Sequence, residues 1–340
     1  MDRSLYTHLG FHKSTYVYYI ITFFCVVATM SFVMLTPTVQ NETLAQAASS
    51  LGYEFVTKWG SQGEEPGQFD GQNDVVPLEE SLVIVPDYDN HRLQKFSDNG
   101  TFVEIIGASG ELEGEFDNPH SVDVDSEGNI YVSDKDNHRI QKLSSEGDFI
   151  TAFGSEGTGD GQFTHLHGIA VDPIRDFVYA TDTENYDVQK FSTNGTFLTA
   201  WGSEGEADGQ FASLESVDVD SEGNVYVADY GNDRIQKFDS EGNFILKWGT
   251  PGSADGQFDG PAGVGVDLND NIYITDTNNH RIQKFSGSGD FISAFGSEGE
   301  GDGQFIEPEG IDVDSEGNVY VADTGNFRIQ VFSQEVTSLS

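Results

Sequence analysis

The sequence predicts an all-β fold, a six-bladed β-propeller with four antiparallel strands in each blade. The first observation behind this prediction is a repeat, because a glycine that follows an aromatic or apolar residue returns at spacings of 47, 47, 48, 47 and 47 residues. These glycines are Gly60, Gly107, Gly154, Gly202, Gly249 and Gly296. A repeat of this length, in six copies, is typical of propeller blades.

The second observation is the pattern inside one repeat. Each copy begins with Gly-x-Phe and continues with short runs, some of which alternate between apolar and polar residues, as in residues 310–314. Turns rich in Gly, Asn, Asp and Ser separate the runs. Period-two alternation in short bounded runs is typical of β-strands, and a complete repeat has room for four of them. Each repeat is therefore predicted to form one four-stranded blade.

The third observation is the way the repeats begin and end. The last repeat stops near Ser333 without its fourth strand, whereas a lone strand pattern at residues 54–59 precedes the first repeat. Placing this strand on the sixth blade closes the ring and leaves no unpaired edge between the first and last blades. The predicted propeller thus occupies residues 53–333, followed by a C-terminal tail at 334–340.

The segment before the propeller contains a long apolar run. Residues 16–35 carry no charge and follow the basic residues Arg3 and Lys13. A run of this length can span a bilayer, so we predict one transmembrane helix. The basic flank predicts that residues 1–15 are cytoplasmic and that the propeller, after a linker at 36–52, is extracellular. The alternative is a cleaved signal peptide and a secreted protein, because Ala45-Gln46-Ala47 resembles a peptidase site.

Charge and cysteine content exclude several classes of function. The only cysteine, Cys25, lies in the apolar run, so the propeller is predicted to have no disulfide and no thiolate zinc site. The formal net charge is −42. Because nucleic acid is bound through clustered basic residues, we expect no nucleic-acid partner, and a nucleic-acid-binding propeller is the alternative that the charge disfavours. Most basic residues also recur at fixed repeat positions, namely Arg92, Arg139, Arg234, Arg281, Arg328, Lys95, Lys142, Lys190, Lys237 and Lys284.

A loop motif carries a family resemblance. The second strand of each repeat ends in Asp-x-x-Asn, and in one copy residues 276–285 read Asp-Thr-Asn-Asn-His-Arg-Ile-Gln-Lys-Phe. This copy and the shorter ones at 90–93 and 137–140 resemble the NHL repeat, which is named for its Asn-His-Leu core. The resemblance covers residues 53–333 and implies a six-bladed propeller. Such propellers include amidating-pathway lyases, RNA-binding ubiquitin-ligase tails and extracellular sensor domains, so the resemblance does not choose among functions.

One rim of the predicted propeller is the better candidate for function. The connectors between blades and the loops between strands two and three share a rim, here named the connector rim, whereas the short turns share the opposite turn rim. The turn rim repeats one tight turn, as at Ser126-Glu127-Gly128-Asn129. The connector rim varies from blade to blade and carries all six histidines of the propeller, as expected for a binding surface. We predict that His165, His167, Tyr186 and Tyr230 form a ligand-binding patch on it.

The starts of the six first strands form a predicted ring at the mouth of the central channel. The ring consists of Asn73, His120, His167, Glu215, Ala262 and Glu309. Imidazole and carboxylate groups bind divalent ions, so we predict that His120, His167, Glu215 and Glu309 could hold zinc or calcium. The amidating-type lyases that the resemblance includes hold zinc with three histidines from alternate blades, but the alternate set here keeps only His120.

Two functions follow from these observations. The favoured one is a membrane-tethered, extracellular, non-catalytic scaffold that binds or senses a protein, peptide or glycan. The alternative is a metal-dependent lyase or lactonase with its divalent ion at the channel mouth.

Blade three departs furthest from the repeat, because it has an extra residue at 172–177 and Asp187 where other blades have arginine. In the other blades we expect that arginine to form an exposed ion pair with the loop aspartate, as Arg139 with Asp134.

Overall fold

A computed structural model describes residues 52–78 and 81–334. In this part of the chain 24 strands form six four-stranded antiparallel sheets. The closing strand is β1 (Tyr53–Trp59). Blade 1 contains β2 (Val76–Leu78), β3 (Leu82–Asp87), β4 (Arg92–Ser97) and β5 (Phe102–Ile106), and blade 2 contains β6 (Pro119–Val124), β7 (Ile130–Asp134), β8 (Arg139–Leu143) and β9 (Phe149–Phe153). Blade 3 contains β10 (Leu166–Asp172), β11 (Phe177–Asp182), β12 (Asp187–Ser192) and β13 (Phe197–Gly202).

The remaining blades repeat the same order. Blade 4 contains β14 (Leu214–Val219), β15 (Val225–Asp229), β16 (Arg234–Phe238) and β17 (Phe244–Trp248), and blade 5 contains β18 (Pro261–Val266), β19 (Ile272–Asp276), β20 (Arg281–Phe285) and β21 (Phe291–Phe295). Blade 6 contains β22 (Pro308–Val313), β23 (Val319–Asp323) and β24 (Arg328–Gln334), with β1 as its fourth strand. The predicted all-β, six-bladed propeller is confirmed. The first strand of each blade lines the central channel.

The ring closes as the repeat pattern predicts. Strand β1 pairs antiparallel with β24, from Tyr53 opposite Gln334 to Trp59 opposite Ile329. Aromatic side chains of β1 also pack on neighbouring residues, because the Tyr53 ring stacks on Phe295 with centroids 4.3 Å apart. The edge of blade 6 is therefore covered by the first strand of the propeller.

The core consists of hydrophobic clusters between successive blades. The phenylalanine of each Gly-x-Phe start is fully buried in one of them: Phe69, Phe116, Phe163, Phe211, Phe258 and Phe305. The repeated glycine before each connector allows this burial. At Gly249, for example, φ is +102° and an added Cβ would lie 2.6 Å from the Phe258 ring. Because any larger residue would collide with this ring and strain the backbone, glycine recurs with the same spacing.

A buried aspartate joins the parts of each blade on the connector rim. In blade 4, Asp229 is fully buried and accepts hydrogen bonds from Ala212 N (3.0 Å), Asn232 Nδ2 (2.9 Å), Arg234 Nε (2.7 Å) and Gln236 Nε2 (3.1 Å). These donors belong to the connector, the loop and the third strand. We name this residue of each blade the pin aspartate: Asp87, Asp134, Asp182, Asp229, Asp276 and Asp323.

The arginine that pairs with the pin aspartate also reaches the connector backbone. In blade 4, Arg234 donates to the carbonyls of Glu206 (2.7 Å), Ala207 (3.0 Å) and Gln210 (2.7 Å). The sequence correctly predicts the pairing, but its expectation of exposed ion pairs is wrong. The five pin aspartates that have an arginine partner are fully buried, and the arginine side chains are at most 17% exposed beneath the connector carbonyls. Buried pairs are costly to break, whereas exposed ones contribute little.

Within the described residues no helix is both long enough and apolar enough to cross a membrane. The predicted transmembrane helix at residues 16–35 lies outside this part of the chain, and so do residues 335–340 of the predicted tail. Both stay predictions.

Candidate functional site at the channel mouth

Backbone hydrogen bonds join the loops and connectors into one rim. The amide of Asp89, in the loop after β3, donates to the carbonyl of Asp70 in the preceding connector at 2.9 Å, and Tyr88 N donates to Gly71 O at 3.0 Å. The connector rim is therefore one continuous surface around the channel. At its centre a small cavity of about 30 Å³ opens between the first strands. Its lining includes Asn73, His120, Glu215, Ala262 and Glu309.

Four aromatic rings form a strip along one side of this mouth. The His120 and His167 rings lie 4.0 Å apart at an interplanar angle of 32°. His165 meets His167 edge-on at 4.9 Å, and Tyr88 meets His120 edge-on at 5.7 Å. We name Tyr88, His120, His165 and His167 the aromatic strip. The structure thus brings together His165 and His167 of the predicted patch with His120 of the predicted metal set.

Carboxylates and an amide link the strip to the other side of the channel. His167 Nδ1 lies 2.6 Å from Glu215 Oε2, so blades 3 and 4 are joined by an imidazole–carboxylate contact. Asn73 lies between His120 and Glu309. When its amide is oriented to satisfy both neighbours, its nitrogen donates to Glu309 Oε2 at 3.2 Å and its oxygen accepts from His120 Nε2 at 3.2 Å. These contacts cross the mouth from blade 2 to blade 6.

Burial moves the pKa values of two mouth residues in opposite directions. It holds the pKa of His120 well below its ordinary value, and the neighbouring His167 lowers the pKa further. Burial also raises the pKa of Glu309 to about 8, and the Glu215 charge adds to this effect. At neutral pH His120 is therefore uncharged and Glu309 keeps its proton. The mouth carries less charge than its residue types indicate.

Deeper in the channel lies a second group of carboxyls that the sequence analysis missed. Asp123, Asp218 and Asp312 occupy the same position of the first strand in alternate blades, and Asp74 lies beside them. Asp123 accepts from Val171 N of the next blade at 2.6 Å, and Asp218 accepts from Val266 N at 2.7 Å. The signal in the sequence is an Asp-Val-Asp run that occurs in blades 2, 4 and 6.

A repeated loop position holds three of the histidines for a structural reason. His91, His138 and His280 follow the loop residues with φ between 52° and 54°, and Tyr186, Asp233 and Phe327 adopt the same left-handed conformation in the other blades. The side chain at this position can accept a hydrogen bond from the next connector. His91 Nδ1 accepts from Asn118 N at 3.1 Å, and Asp233 Oδ1 accepts from Gly260 N at 2.8 Å.

The two tyrosines of the predicted patch lie elsewhere on the connector rim. Tyr186 packs against the hydrophobic cluster between blades 3 and 4. Tyr230 accepts a hydrogen bond from Asn278 of blade 5 through its hydroxyl at 3.3 Å. Neither contact joins them to the aromatic strip.

The predicted metal site at His120, His167, Glu215 and Glu309 stays a prediction. Among residues 52–78 and 81–334, no three His, Cys, Asp or Glu side chains are arranged to hold one metal ion. Asn73 lies between His120 and Glu309, and His167 contacts Glu215 directly. Binding of a metal by all four would require these contacts to rearrange.

Comparison with known proteins supports the fold. The NHL repeat family model matches residues 116–143, 211–238, 258–285 and 305–332. No curated protein matches the chain in sequence. Several solved structures share the fold over most of its length.

Three of these structures are between 12% and 18% identical to this chain. A structural genomics protein of unknown function from Bacteroides thetaiotaomicron is 18% identical, with 83% of this chain and 76% of that chain covered and a TM-score of 0.65. An auxiliary nutrient binding protein from Bacteroides ovatus is 15% identical (84% and 78% covered, TM-score 0.62). Virginiamycin B lyase from Staphylococcus aureus is 12% identical (83% and 99% covered, TM-score 0.59). At these identities the similarity is one of fold.

Proposed function

Since the chain carries NHL repeats on a six-bladed propeller, we propose that it is a non-catalytic binding module that takes a polar, largely uncharged ligand at the channel mouth. The ligand is a glycan or a peptide segment. The aromatic strip, beside hydrogen-bonding groups that are mostly neutral at physiological pH, is the observation that carries this proposal.

The chemistry of the mouth favours such a ligand over an anion. Aromatic rings give apolar contact area, while protonated Glu309 offers a hydrogen-bond donor beside them. An anionic ligand would be repelled by a chain whose net charge is −42. The fold is also shared with auxiliary nutrient binding proteins, which is consistent with a binding role.

Binding is tested by titrating the full-length chain with a panel of neutral glycans and uncharged peptides. We expect the double variant His120→Ala, His167→Ala to weaken binding by more than about tenfold, because central aromatic residues dominate the energy of such patches. The control variant carries Glu127→Ala and Glu222→Ala on the turn rim and should bind unchanged. Equal losses in both variants would show that the mouth is not the site.

The extent of the site beyond the mouth is a separate question. The predicted patch includes His165, Tyr186 and Tyr230 as well as His167. Because His165 packs on His167 whereas the tyrosines contact other blades, we expect His165→Ala to weaken binding several-fold and Tyr186→Ala and Tyr230→Ala to have smaller effects. Larger effects from the tyrosines would extend the site outward over blades 3 and 4.

We further propose that the module is tethered to the cell membrane with the propeller outside. The uncharged run at residues 16–35 and its basic flank support this arrangement. The test is protease treatment of intact cells that express the full chain. Digestion of the propeller in intact cells, with recovery of the protein in the membrane fraction, is the expected result. Recovery in the medium would instead support cleavage of the segment.

A second candidate is a metal-dependent lyase or lactonase. It is favoured by the opposed pKa shifts of His120 and Glu309 at one channel mouth, and by a fold shared with virginiamycin B lyase. On this hypothesis, chain purified without chelators should contain about one divalent ion, as zinc or calcium, lost in the double variant His120→Ala, Glu309→Ala. Metal-free protein after such a purification would exclude this candidate.

A further inference from the structure

Five blades hold a guanidinium group in the same enclosed position. We name this position the pin socket, the space between the pin aspartate and the carbonyls of the preceding connector. In blade 2, for example, Arg139 donates from Nε to Asp134 at 2.6 Å and from its other nitrogens to the carbonyls of Glu111, Leu112 and Glu115 at 2.9, 2.8 and 3.0 Å. Carbonyl and carboxylate oxygens surround the planar fork of the guanidinium, which is the geometry such a group requires.

Blade 3 keeps the frame of the socket. Gly161 N donates to Gln189 Oε1 at 2.9 Å, and Gln189 Nε2 donates to Gln162 O at 2.7 Å. The matching bonds in blade 4 measure 2.9 and 2.7 Å. The pin aspartate, Asp182, accepts from Thr164 N at 2.7 Å and from Asn185 Nδ2 at 2.7 Å. Among the described residues it accepts no bond from Gln189, whereas the pin aspartates of the other blades accept one from the matching glutamine. By this alignment the carbonyls that face the socket belong to Thr158, Gly159 and Gln162.

The cation is missing from this frame. Asp187 stands opposite Asp182 in the strand register, where the other blades have arginine. The Asp187 Oδ1 atom is buried and has no hydrogen-bond partner among the described residues. Burial, together with the charge of Asp182, raises the pKa of Asp187 to about 7. No lysine or arginine in the described part of the chain pairs with either carboxylate. Two acids and a set of carbonyls thus share one enclosed site.

The socket is reachable from solvent. In blade 2 the Arg139 side chain is 17% exposed, and its outer nitrogen bonds Glu111 O at the protein surface. By the same alignment, a guanidinium from outside the chain can enter the socket of blade 3 at the position that the Arg139 guanidinium occupies in blade 2. The site also adjoins the aromatic strip, because His165 N donates to Asp182 Oδ1 at 3.0 Å.

We propose that blade 3 binds a guanidinium cation from outside the chain, between Asp182 and Asp187, in the socket that an arginine of the protein fills in the other five blades. The cation is a free guanidinium compound or the side chain of an arginine on a peptide. It supplies a donor to the unpartnered Asp187 Oδ1 and takes the place of the missing arginine beside Asp182 and the connector carbonyls. This site is independent of the channel-mouth ligand proposed above.

The first test is calorimetric titration of the full-length chain with methylguanidinium at constant ionic strength. We expect one saturable site with half-saturation in the roughly millimolar range, because so small a ligand makes few contacts. Methylammonium has the same charge without the planar fork and should bind at least about tenfold more weakly. Equal binding of both cations would overturn the proposal.

Two variants locate the site. Asp187→Arg supplies the missing side chain, so it should abolish methylguanidinium binding and raise the melting temperature. Asp187→Asn keeps the size of the side chain and removes its charge, so it should weaken binding several-fold even if the arginine variant folds poorly. The matched control is Asp255→Asn, an exposed connector residue of blade 5. Unchanged binding in both Asp187 variants would overturn the proposal. The proposal would also be overturned if the parent chain bound no methylguanidinium while Asp187→Asn raised the melting temperature.

A peptide arm identifies the source of the cation. A Gly/Ser peptide with one central arginine is compared with the same peptide carrying citrulline, which has a similar shape and no charge. Binding of the arginine peptide alone supports an arginine-bearing partner. Binding of methylguanidinium without the peptide supports a free guanidinium compound. Binding of neither ligand contradicts the proposal in both forms.

Discussion

The aspartates of the channel show how one residue can join blades and still be costly to the fold. Asp123 accepts from its own strand at Val124 N (2.7 Å) and from the next blade at Val171 N (2.6 Å). Yet burial raises its pKa to about 7, with the charges of Asp74 and Asp125 as smaller causes. Burial holds the pKa values of Asp218 and Asp312 well above the ordinary range, and the charge of the nearby Asp123 raises both further. The inter-blade bonds are therefore made at the cost of like charges in one channel.

The pKa of Asp123 predicts how stability varies with pH. The folded chain binds this proton more tightly than the unfolded chain, so the free energy of unfolding falls as pH rises from about 4 to about 7. The shift corresponds to about 4 kcal/mol at most, from about 1.4 kcal/mol per pKa unit. Asn cannot ionise, so the Asp123→Asn variant does not lose this stability. The melting temperature of the variant minus that of the parent chain should therefore rise by several degrees between about pH 4.5 and pH 8.

The control for this prediction is Asp148→Asn in the same blade, an exposed residue of the turn rim. Its difference in melting temperature from the parent chain should stay constant over the same pH range. Thermal unfolding followed by circular dichroism measures both variants. A constant difference for Asp123→Asn as well would show that Asp123 is ionised in the folded chain at every pH tested.

The blade is the unit in which the repeat pattern becomes structure. In five blades the pin aspartate joins the connector, the loop and the third strand through several hydrogen bonds, whereas Asp182 of blade 3 joins only the connector and the loop. These bonds explain why Asp, Asn, Arg and Gln recur together in the sequence. The loop position of His91 varies more, since its residues share a left-handed conformation and their side chains take no part in the bonds of the pin aspartate.

Removal of a pin aspartate should therefore destabilise strongly. We expect Asp229→Ala to lower the free energy of unfolding by about 3–5 kcal/mol, because Arg234 and Gln236 then lose a buried partner. The exposed Glu222→Ala on the turn rim of the same blade should change it by less than about 0.5 kcal/mol. Denaturant unfolding of both variants gives the comparison. Similar values for the two would mean that the network contributes little.

Most of the blade could be predicted from the sequence, and the reason is physical. The apolar run at residues 319–322 reflects a strand that is buried on both faces, and Gly249 reflects the ring of Phe258 beside it. The burial of Arg234 could not be predicted, because it depends on the path of a connector 24 to 28 residues earlier in the chain. The ring of residues at the channel mouth could be predicted, because the first strands of all blades begin at the same end of the channel. The contact of His167 with Glu215 depends on neighbouring blades, which a repeat pattern does not specify.

At the scale of the whole molecule, stability depends on closure of the ring. Without β1, strand β24 and the Phe295 side chain lose their aromatic partners, and blade 6 has an open edge. We expect deletion of residues 53–60 to lower the melting temperature by many degrees. Deletion of residues 1–40 should leave it unchanged. Equal melting temperatures for the two truncated chains would refute the role of the closing strand.

Charge is the other property of the whole molecule that leads to a prediction. Lysines as well as arginines at the repeat positions are used internally, because Lys142, Lys237 and Lys284 each pair with an aspartate within 3.3 Å and lie over a tyrosine ring. Little positive charge remains for phosphate. We expect no binding of RNA or DNA at physiological salt in a gel-shift assay. A salt-dependent shift at micromolar protein would contradict this.

The pairing of Tyr53 with Gln334 also sets the order of events during synthesis. The closing strand leaves the ribosome before any blade, but its partner β24 is translated last. Strand β1 therefore remains unpaired while the six blades are synthesised. During this interval its alternating apolar face, with Phe55 and Trp59, has no native partner. Ribosomes that stall within the last repeat would release chains with an unpaired strand at each end. Such chains would be recognised by chaperones or would join one another edge to edge.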